Sequence, residues 1–291
     1  MARASRRARL QCDSSDRPHL FPVNLLPRTR RRSFRDCDRA SGLHAGRTNR
    51  RARIQPASPA VARINALANR ESSAANRASS QIIVSQLDFI HEFVPGISDR
   101  TLLLLHGTGG NEHDLIRLGR ELDPNAALLS PRGKTLEHGM PRFFRRLAEG
   151  VFDIEDLKLR ANELADFVTA AAKHYNLAAG QIVAVGYSNG ANIAATLLLL
   201  RPETLGAAIL FRVMVPLIPD SLPDLSCMRI LIAAGDQDPI IPAFEAQRLV
   251  ELLRRTGADV TIRFANASHA LTEADIKTAR HWLEVLGQDR D

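Results

Sequence analysis

A five-residue turn motif lies between an apolar run and a helix-forming run, and it constrains the fold more than any other feature. The motif is Gly186-Tyr-Ser-Asn-Gly190, with strand-forming residues at 182–185 before it and helix formers at 191–195 after it. Such a chain leaves a strand, turns sharply and enters a helix within a few residues. The turn strains the dihedrals of Ser188 and makes its hydroxyl project above the sheet. We therefore predict a central strand, a reactive serine and a helix here.

From residue 81 onward, short apolar runs alternate with amphipathic stretches. Residues 81–94 are predicted to form one or two edge strands. The other predicted strands are 101–106, 126–130, 181–187, 207–213, 229–234 and 259–265, and the predicted helices are 154–175, 190–200, 243–256 and 272–286. Asp153 is the predicted N-cap of the first of these helices. Strands that alternate with helices of this length predict an α/β domain with a mostly parallel central sheet and helices on both faces.

Residues 1–80 differ sharply in composition from the rest of the chain. They hold 18 Arg, no Lys and five acidic residues, a net charge of +13; because the whole chain carries +7, residues 81–291 carry −6. Without a sustained hydrophobic period, this basic segment cannot offset its chain entropy, and we expect it to be disordered. A solvated tail, a start site assigned too far upstream, a transit peptide and a nucleic-acid-binding arm all fit its composition. We expect residues 81–291 to form one domain that requires no nucleic acid.

The chain contains no apolar run of the roughly 18–20 residues that a membrane-spanning helix needs. Its first residues also lack the apolar stretch of a secretory signal. Cys227 is the single cysteine within residues 81–291, so we expect no disulfide framework there and favour a reducing compartment. These features predict a cytoplasmic protein without a membrane span.

Two polar segments follow predicted strands downstream of the serine motif. The first is Gly235-Asp-Gln-Asp-Pro239, and the second is Asn266-Ala-Ser-His269. Because the carboxyl ends of parallel strands meet at one edge of a sheet, both segments can reach the region of Ser188. The acid-then-histidine order after the serine is the order found with this kind of turn.

These segments supply the groups that a serine nucleophile needs. A serine hydroxyl is a poor nucleophile until a histidine accepts its proton, and an acid then fixes the imidazole tautomer and stabilises the imidazolium. We predict a catalytic triad of Ser188, His269 and an aspartate. The aspartate is Asp236 or Asp238, which are two residues apart and which periodicity does not separate.

A glycine-rich loop, His106-Gly-Thr-Gly-Gly110, follows the predicted strand 101–106. Where a serine turn of this kind is present, such a loop supplies one backbone N–H for the oxyanion and the residue after the serine supplies the other. This assigns the N–H groups of Thr108 and Asn189 as the oxyanion hole. A phosphate-binding loop is the weaker interpretation, since no Lys follows the glycines. We expect His106 to pack and to order this loop.

With these motifs in place, residues 81–291 resemble the phospholipase/carboxylesterase family of α/β-hydrolases, which includes acyl-protein thioesterases and small bacterial carboxylesterases. The resemblance rests on four segments: Leu105-His-Gly-Thr-Gly-Gly-Asn-Glu-His-Asp114, Gly186-Tyr-Ser-Asn-Gly-Ala-Asn192, Gly235-Asp-Gln-Asp-Pro-Ile-Ile-Pro242 and Ser268-His269. A further segment, 142–153, is similar to a bacterial branch linked to quinone or aromatic-compound metabolism. Residues 1–80 have no counterpart in the family.

The resemblance implies an α/β-hydrolase fold, Asp238 as the acid, and hydrolysis of a carboxylic ester or thioester through an acyl-enzyme. It implies no metal and no organic cofactor, and an open groove for small-molecule esters with short or medium acyl chains. Phe143 and Phe144 either line the acyl side of this groove or pack beneath the loop. A homodimer is an expected assembly. The alternatives are an acyl-protein thioesterase and a catalytically idle scaffold that acts as a binding protein.

Overall fold

The computed structural model describes residues 87–288, so the expectations for residues 1–80 and for a domain start at residue 81 lie outside the described residues. The strands are β1 (His91–Val94), β2 (Thr101–Leu105), β3 (Ala127–Pro131), β4 (Thr135–Glu137), β5 (Met140–Arg142), β6 (Arg146–Ala148), β7 (Val151–Phe152), β8 (Ile182–Tyr187), β9 (Ala207–Phe211), β10 (Arg229–Gly235) and β11 (Asp259–Ala265). The helices are α1 (Ile116–Leu122), α2 (Ile154–His174), α3 (Asn189–Leu200), α4 (Ala243–Arg255) and α5 (Glu273–Gln288).

Seven strands form the central sheet, in the order β1-β3-β2-β8-β9-β10-β11. β1 runs antiparallel to β3, and the other neighbouring pairs are parallel. β8 therefore lies in the middle of the sheet, and the carboxyl ends of β8, β9, β10 and β11 lie side by side. This arrangement brings the segments that follow these strands to one edge of the sheet.

Apolar side chains alternate between the two faces of the sheet, because successive residues of a strand point to opposite sides. Along β2, Leu103 and Leu105 join a large buried cluster that also contains α2, α3 and α4 residues. Leu102 and Leu104 join a second cluster with residues of α1 and α5. The near-continuous apolar sequence of these strands is what a sheet buried on both faces requires. The predicted mostly parallel sheet with helices on both faces is confirmed.

Most predicted elements recur within a few residues, and the strands and the α-helix that were not predicted lie between β2 and α2. Asp153 caps α2 as predicted, since its side chain accepts a hydrogen bond from the Asp156 N–H. The sequence analysis did not predict α1 or the two small hairpins, β4–β5 and β6–β7. Each hairpin strand has only two or three residues, which is too short for a period to be recognised.

The expectation of a chain without a membrane span can be compared with the structure. Within residues 87–288, no helix is long and apolar enough to cross a membrane.

Candidate active site

Ser188 lies on the predicted sharp turn between β8 and α3. Its backbone has φ 53° and ψ −111°, a conformation that non-glycine residues rarely adopt. The two glycines of the motif permit the turn: a Cβ on Gly190 would lie 1.9 Å from the Leu105 carbonyl oxygen, and one on Gly186 would lie 2.6 Å from the Cα of Ala191. The close approach of strand and helix therefore requires glycine at both positions.

The structure brings Ser188, His269 and Asp238 together. His269 Nε2 lies 3.0 Å from Ser188 Oγ, and His269 Nδ1 lies 2.8 Å from Asp238 Oδ2. With the proton on Nδ1, the imidazole donates to the carboxylate and accepts from the serine hydroxyl. This is the tautomer in which a histidine can act as a general base toward serine.

The Asp238 carboxylate is held by its own loop as well as by His269. Its Oδ1 accepts hydrogen bonds from the backbone N–H groups of Ile240 (2.8 Å) and Ile241 (3.0 Å). The Asp238 side chain is only 1% exposed, whereas the His269 side chain is 19% exposed. The carboxylate is thus fixed and shielded, while the imidazole is partly exposed.

Asp236 has a different set of contacts. Its Oδ1 accepts a hydrogen bond from the Ala267 N–H at 3.3 Å, and its own N–H donates to the Ala265 carbonyl. These bonds join the loop after β10 to the loop after β11. Of the two aspartates that the spacing left open, Asp238 is the one that contacts the imidazole.

The two predicted oxyanion donors lie on the loop after β2 and at the start of α3. Asn189 is the first residue of α3, so its N–H has no acceptor within the helix. Its buried side chain accepts a hydrogen bond from the Phe143 N–H at 2.8 Å. The Thr108 hydroxyl accepts one from Arg142 Nη1 at 2.9 Å. Both residues are therefore anchored to the segment that contains β5.

His106 orders the glycine-rich loop. Its Nε2 accepts a hydrogen bond from the Gly133 N–H at 2.9 Å, and its Nδ1 lies 2.7 Å from the Gly107 carbonyl oxygen. Acceptance at Nε2 requires the neutral tautomer with the proton on Nδ1. Burial is the main cause that lowers the pKa of His106 below its ordinary value, against the raising effect of the bond to Gly107.

Phe143 and Phe144 were expected either to line a substrate groove or to pack beneath the loop. Phe143 is 2% exposed and packs against the His106 ring at a centroid distance of 4.7 Å. Phe144 is 0% exposed and makes an edge contact with Phe152 at 5.0 Å. In this structure both rings pack beneath the loop and neither lines an open groove.

Two residues that the sequence analysis did not single out contact the His269 loop. The Tyr187 hydroxyl donates to the His269 carbonyl at 3.2 Å, and burial raises the pKa of Tyr187, which keeps this donor protonated. The buried Arg212 donates to the carbonyls on either side of His269. Tyr187 could have been identified from the sequence because it directly precedes Ser188, whereas Arg212 lies outside the motif segments and nothing in the sequence marked it.

Within residues 87–288, no group of three or more His, Cys, Asp or Glu side chains could hold a metal ion.

Comparison with known proteins identifies a family for this chain. The model of the phospholipase/carboxylesterase family matches residues 97–286. The putative hydrolase MhqD of Bacillus subtilis (strain 168) is 49% identical over 194 residues, which cover 67% of this chain and 97% of that protein.

Two solved carboxylesterase structures are similar in both sequence and fold. The Bacillus cereus carboxylesterase has 45% identity and a TM-score of 0.68, and the match covers 70% of this chain and 98% of that one. The Mesorhizobium loti carboxylesterase has 34% identity and a TM-score of 0.61, and the match covers 65% and 90%. The chain belongs to the phospholipase/carboxylesterase family of α/β-hydrolases.

Proposed function

We propose that the protein hydrolyses carboxylic esters through an acyl-enzyme formed on Ser188. The observation that carries this proposal is the continuous hydrogen-bonded arrangement of Ser188, His269 and Asp238, with contacts of 3.0 and 2.8 Å. Membership of a family of esterase-type hydrolases supports the same class of reaction.

In the first half-reaction, Ser188 Oγ attacks the ester carbonyl carbon while His269 Nε2 accepts the hydroxyl proton. The carbonyl electron pair moves onto oxygen, which the N–H groups of Thr108 and Asn189 stabilise. Collapse of this intermediate breaks the bond to the alcohol oxygen, and the proton on His269 moves to the leaving alcohol. The acyl group then remains on Ser188.

In the second half-reaction, water takes the place of the serine hydroxyl. The water oxygen attacks the acyl carbon while His269 accepts a proton from the water. His269 then returns a proton to Ser188 Oγ as the carboxylic acid leaves. Asp238 keeps the imidazole in the correct tautomer and stabilises its cationic form in both halves. No step requires a metal or an organic cofactor.

The magnitudes indicate which groups matter most to the rate. An oxyanion donor of this kind typically lowers the barrier by about 3–4 kcal/mol. A well-placed general base contributes about 10²- to 10⁴-fold. The two oxyanion donors are backbone N–H groups. Side chains therefore affect the stabilisation of the oxyanion by anchoring Thr108 and Asn189 to the β5 segment.

Two other functions are compatible with the same residues. Hydrolysis of a thioester, including one on an acylated protein, uses the same acyl-enzyme route with a thiol as leaving group. A binding protein built on an idle hydrolase scaffold would need no reactive serine. The fixed Asp238 carboxylate and the serine-histidine contact favour the enzyme over the scaffold.

The test measures hydrolysis of p-nitrophenyl esters from acetyl to decanoyl, with thioesters of the same acyl chains assayed in parallel. We expect ester turnover that Ser188→Ala abolishes and that Ser221→Ala, at an exposed serine, leaves unchanged. A fluorophosphonate probe should label Ser188. Labelling of another serine would refute the assignment. A folded protein that neither reacts with the probe nor cleaves any ester or thioester would favour the binding scaffold.

A further inference from the structure

The inference concerns Arg212, the residue directly after β9. Its side chain is 0% exposed, although arginine is among the residues that are almost never fully buried unless paired. Its backbone has φ 55°, in the left-handed region that favours glycine or asparagine. A buried charge on a strained backbone is costly, so the contacts of Arg212 must compensate for it.

The guanidinium of Arg212 spans the loop that carries His269. Nε donates to the Ser268 carbonyl at 3.1 Å, and Nη2 donates to the Ala270 carbonyl at 2.8 Å. Nη1 donates to the carbonyl of Ala233 in the neighbouring strand β10 at 3.2 Å. One side chain therefore holds the backbone immediately before and immediately after His269, and ties both positions to the sheet.

Asp275 fixes the orientation of this guanidinium from α5. The two side chains form a forked ion pair, with Nη2 to Oδ2 at 2.7 Å and Nη1 to Oδ1 at 3.3 Å. Asp275 Oδ2 also accepts from the N–H and hydroxyl of Thr272. Burial alone would raise the pKa of Asp275, but the bonds from Arg212 and Thr272 outweigh it and the pKa lies below its ordinary value. Asp275 is therefore a carboxylate.

Tyr187 completes the set of contacts on this loop. Its hydroxyl donates to the His269 carbonyl at 3.2 Å. Three consecutive carbonyls, those of residues 268, 269 and 270, thus each accept a hydrogen bond from a side chain at the end of β8 or β9. Isolated loop carbonyls are normally satisfied by water or by neighbouring backbone, so this triple engagement restrains the backbone from which the His269 imidazole projects.

We propose that Arg212 is a positioning residue, which holds the His269 loop so that the imidazole lies in line between Ser188 and Asp238. This inference rests on the proposed function and adds a residue to it. A buried ion pair is weak evidence for a contribution to stability, because replacing both partners by uncharged groups is often nearly neutral. The hydrogen bonds from its guanidinium to carbonyls 268 and 270 indicate instead that Arg212 fixes the position of the loop.

The test uses the double variant Arg212→Met/Asp275→Asn. It removes both charges together, so no unpaired buried charge remains, and the introduced amide can still accept from Thr272. Arg120→Met is the matched control: Arg120 also donates to three backbone carbonyls, those of Pro95, Pro124 and Ala126. These lie in loops before β2 and β3, at the opposite edge of the sheet from Ser188.

We expect the double variant to lose about 100-fold in kcat with KM changed less than threefold, since a displacement of about 1 Å in a reacting group has an effect of this size. Arg120→Met should keep kcat within twofold of the wild type, even if its melting temperature falls by as much as that of the double variant. Arg212→Lys keeps the charge but has no forked guanidinium to bond both carbonyls. Its kcat should therefore lie between those of the wild type and the double variant. A double variant with the kcat of the control would overturn the inference while ester hydrolysis stands.

A second readout is independent of turnover. The downfield proton resonance of the His269 Nδ1–H, measured with ¹⁵N-labelled histidine, should be present in the wild type and in Arg120→Met, and lost or broadened in the double variant. An unchanged resonance would refute the positioning role. If the wild type hydrolyses no ester or thioester, the proposed function fails, and this resonance still decides whether Arg212 holds the imidazole.

Discussion

His269 Nδ1 bonds Asp238 Oδ2 at 2.8 Å, although 31 positions separate the two residues in the chain. The strands that precede them, β10 and β11, are parallel neighbours whose last paired residues are Gly235 and Ala265. Each functional residue follows its strand by three or four positions. Strand register therefore brings the two loops together, and the direction of the loop after β10 places Asp238, and not Asp236, against the imidazole.

The first prediction concerns these two aspartates. Asp238→Asn should leave the fold intact and slow ester turnover by about 10⁴-fold, because the amide holds the wrong His269 tautomer; this is the size of the comparable effect in serine proteases. Asp236→Asn should cost less than tenfold, since within residues 87–288 its side chain accepts a single hydrogen bond, from the Ala267 N–H. Steady-state kinetics and circular dichroism of both variants provide the measurement. The assignment is wrong if Asp236→Asn is the more damaging change in two folded proteins.

A second prediction concerns the packing of the serine turn. Gly190→Ala should lower the free energy of unfolding by about 3 kcal/mol or more, because the new Cβ would lie 1.9 Å from a backbone oxygen of β2. Gly180→Ala is the control, since a Cβ there meets no atom within 4 Å, and it should change stability by less than about 0.5 kcal/mol. Urea unfolding of both variants measures the difference. Equal midpoints would contradict the requirement for glycine at the turn.

Much of the fold could be predicted from the sequence because the strands are buried on both faces. Runs such as 102–105 and 182–185 are continuously apolar, which is typical of central parallel strands. The turn at Ser188 is equally recognisable, because its glycines are required by close backbone contacts. The sequence therefore predicted the structure at those positions where local packing restricts which residues can be present.

Other parts of the site depend on contacts between distant segments. Asp236 and Asp238 have the same local chemistry, and only the direction of the loop after β10 separates them. Arg212 lies 56 positions from Ser268, and no periodicity or motif marked it. The hairpins between β3 and α2 place Phe143 and Phe144 in the interior by packing against His106 and Phe152. Such relationships arise in the folded chain and have no local sequence pattern.

A third prediction concerns the basic segment. A protein that starts at Ser80 should keep kcat/KM within about twofold of the full chain, which is well under 1 kcal/mol of barrier. The reason is that the family match spans residues 97–286, and Ser188, Asp238 and His269 all lie within it. Ester kinetics of both proteins test this. A shortened protein that fails to fold would contradict the prediction, and salt-sensitive DNA binding by the full chain alone would support the nucleic-acid arm.

The last prediction concerns the pH dependence of stability that His106 introduces. Burial lowers the pKa of His106 in the folded protein, whereas in the unfolded chain it titrates near its ordinary value of about 6.5. Below that value the unfolded state binds the additional proton, so the stabilising contribution of neutral His106 is lost as pH falls toward the folded pKa.

The wild type should therefore lose stability between pH 7.5 and pH 5 with a contribution from His106 of up to about 1.4 kcal/mol per pH unit. His106→Asn does not titrate in this range and can still bond Gly107 and Gly133, so its loss over the same interval should be smaller. His174→Asn, at an exposed histidine that forms no ion pair among the described residues, should follow the wild-type curve. Urea unfolding at several pH values measures all three. Because protonation would also remove the acceptor for the Gly133 N–H, the glycine-rich loop should loosen in the same pH range. Parallel stability curves for wild type and His106→Asn would show that the buried imidazole does not control this loss.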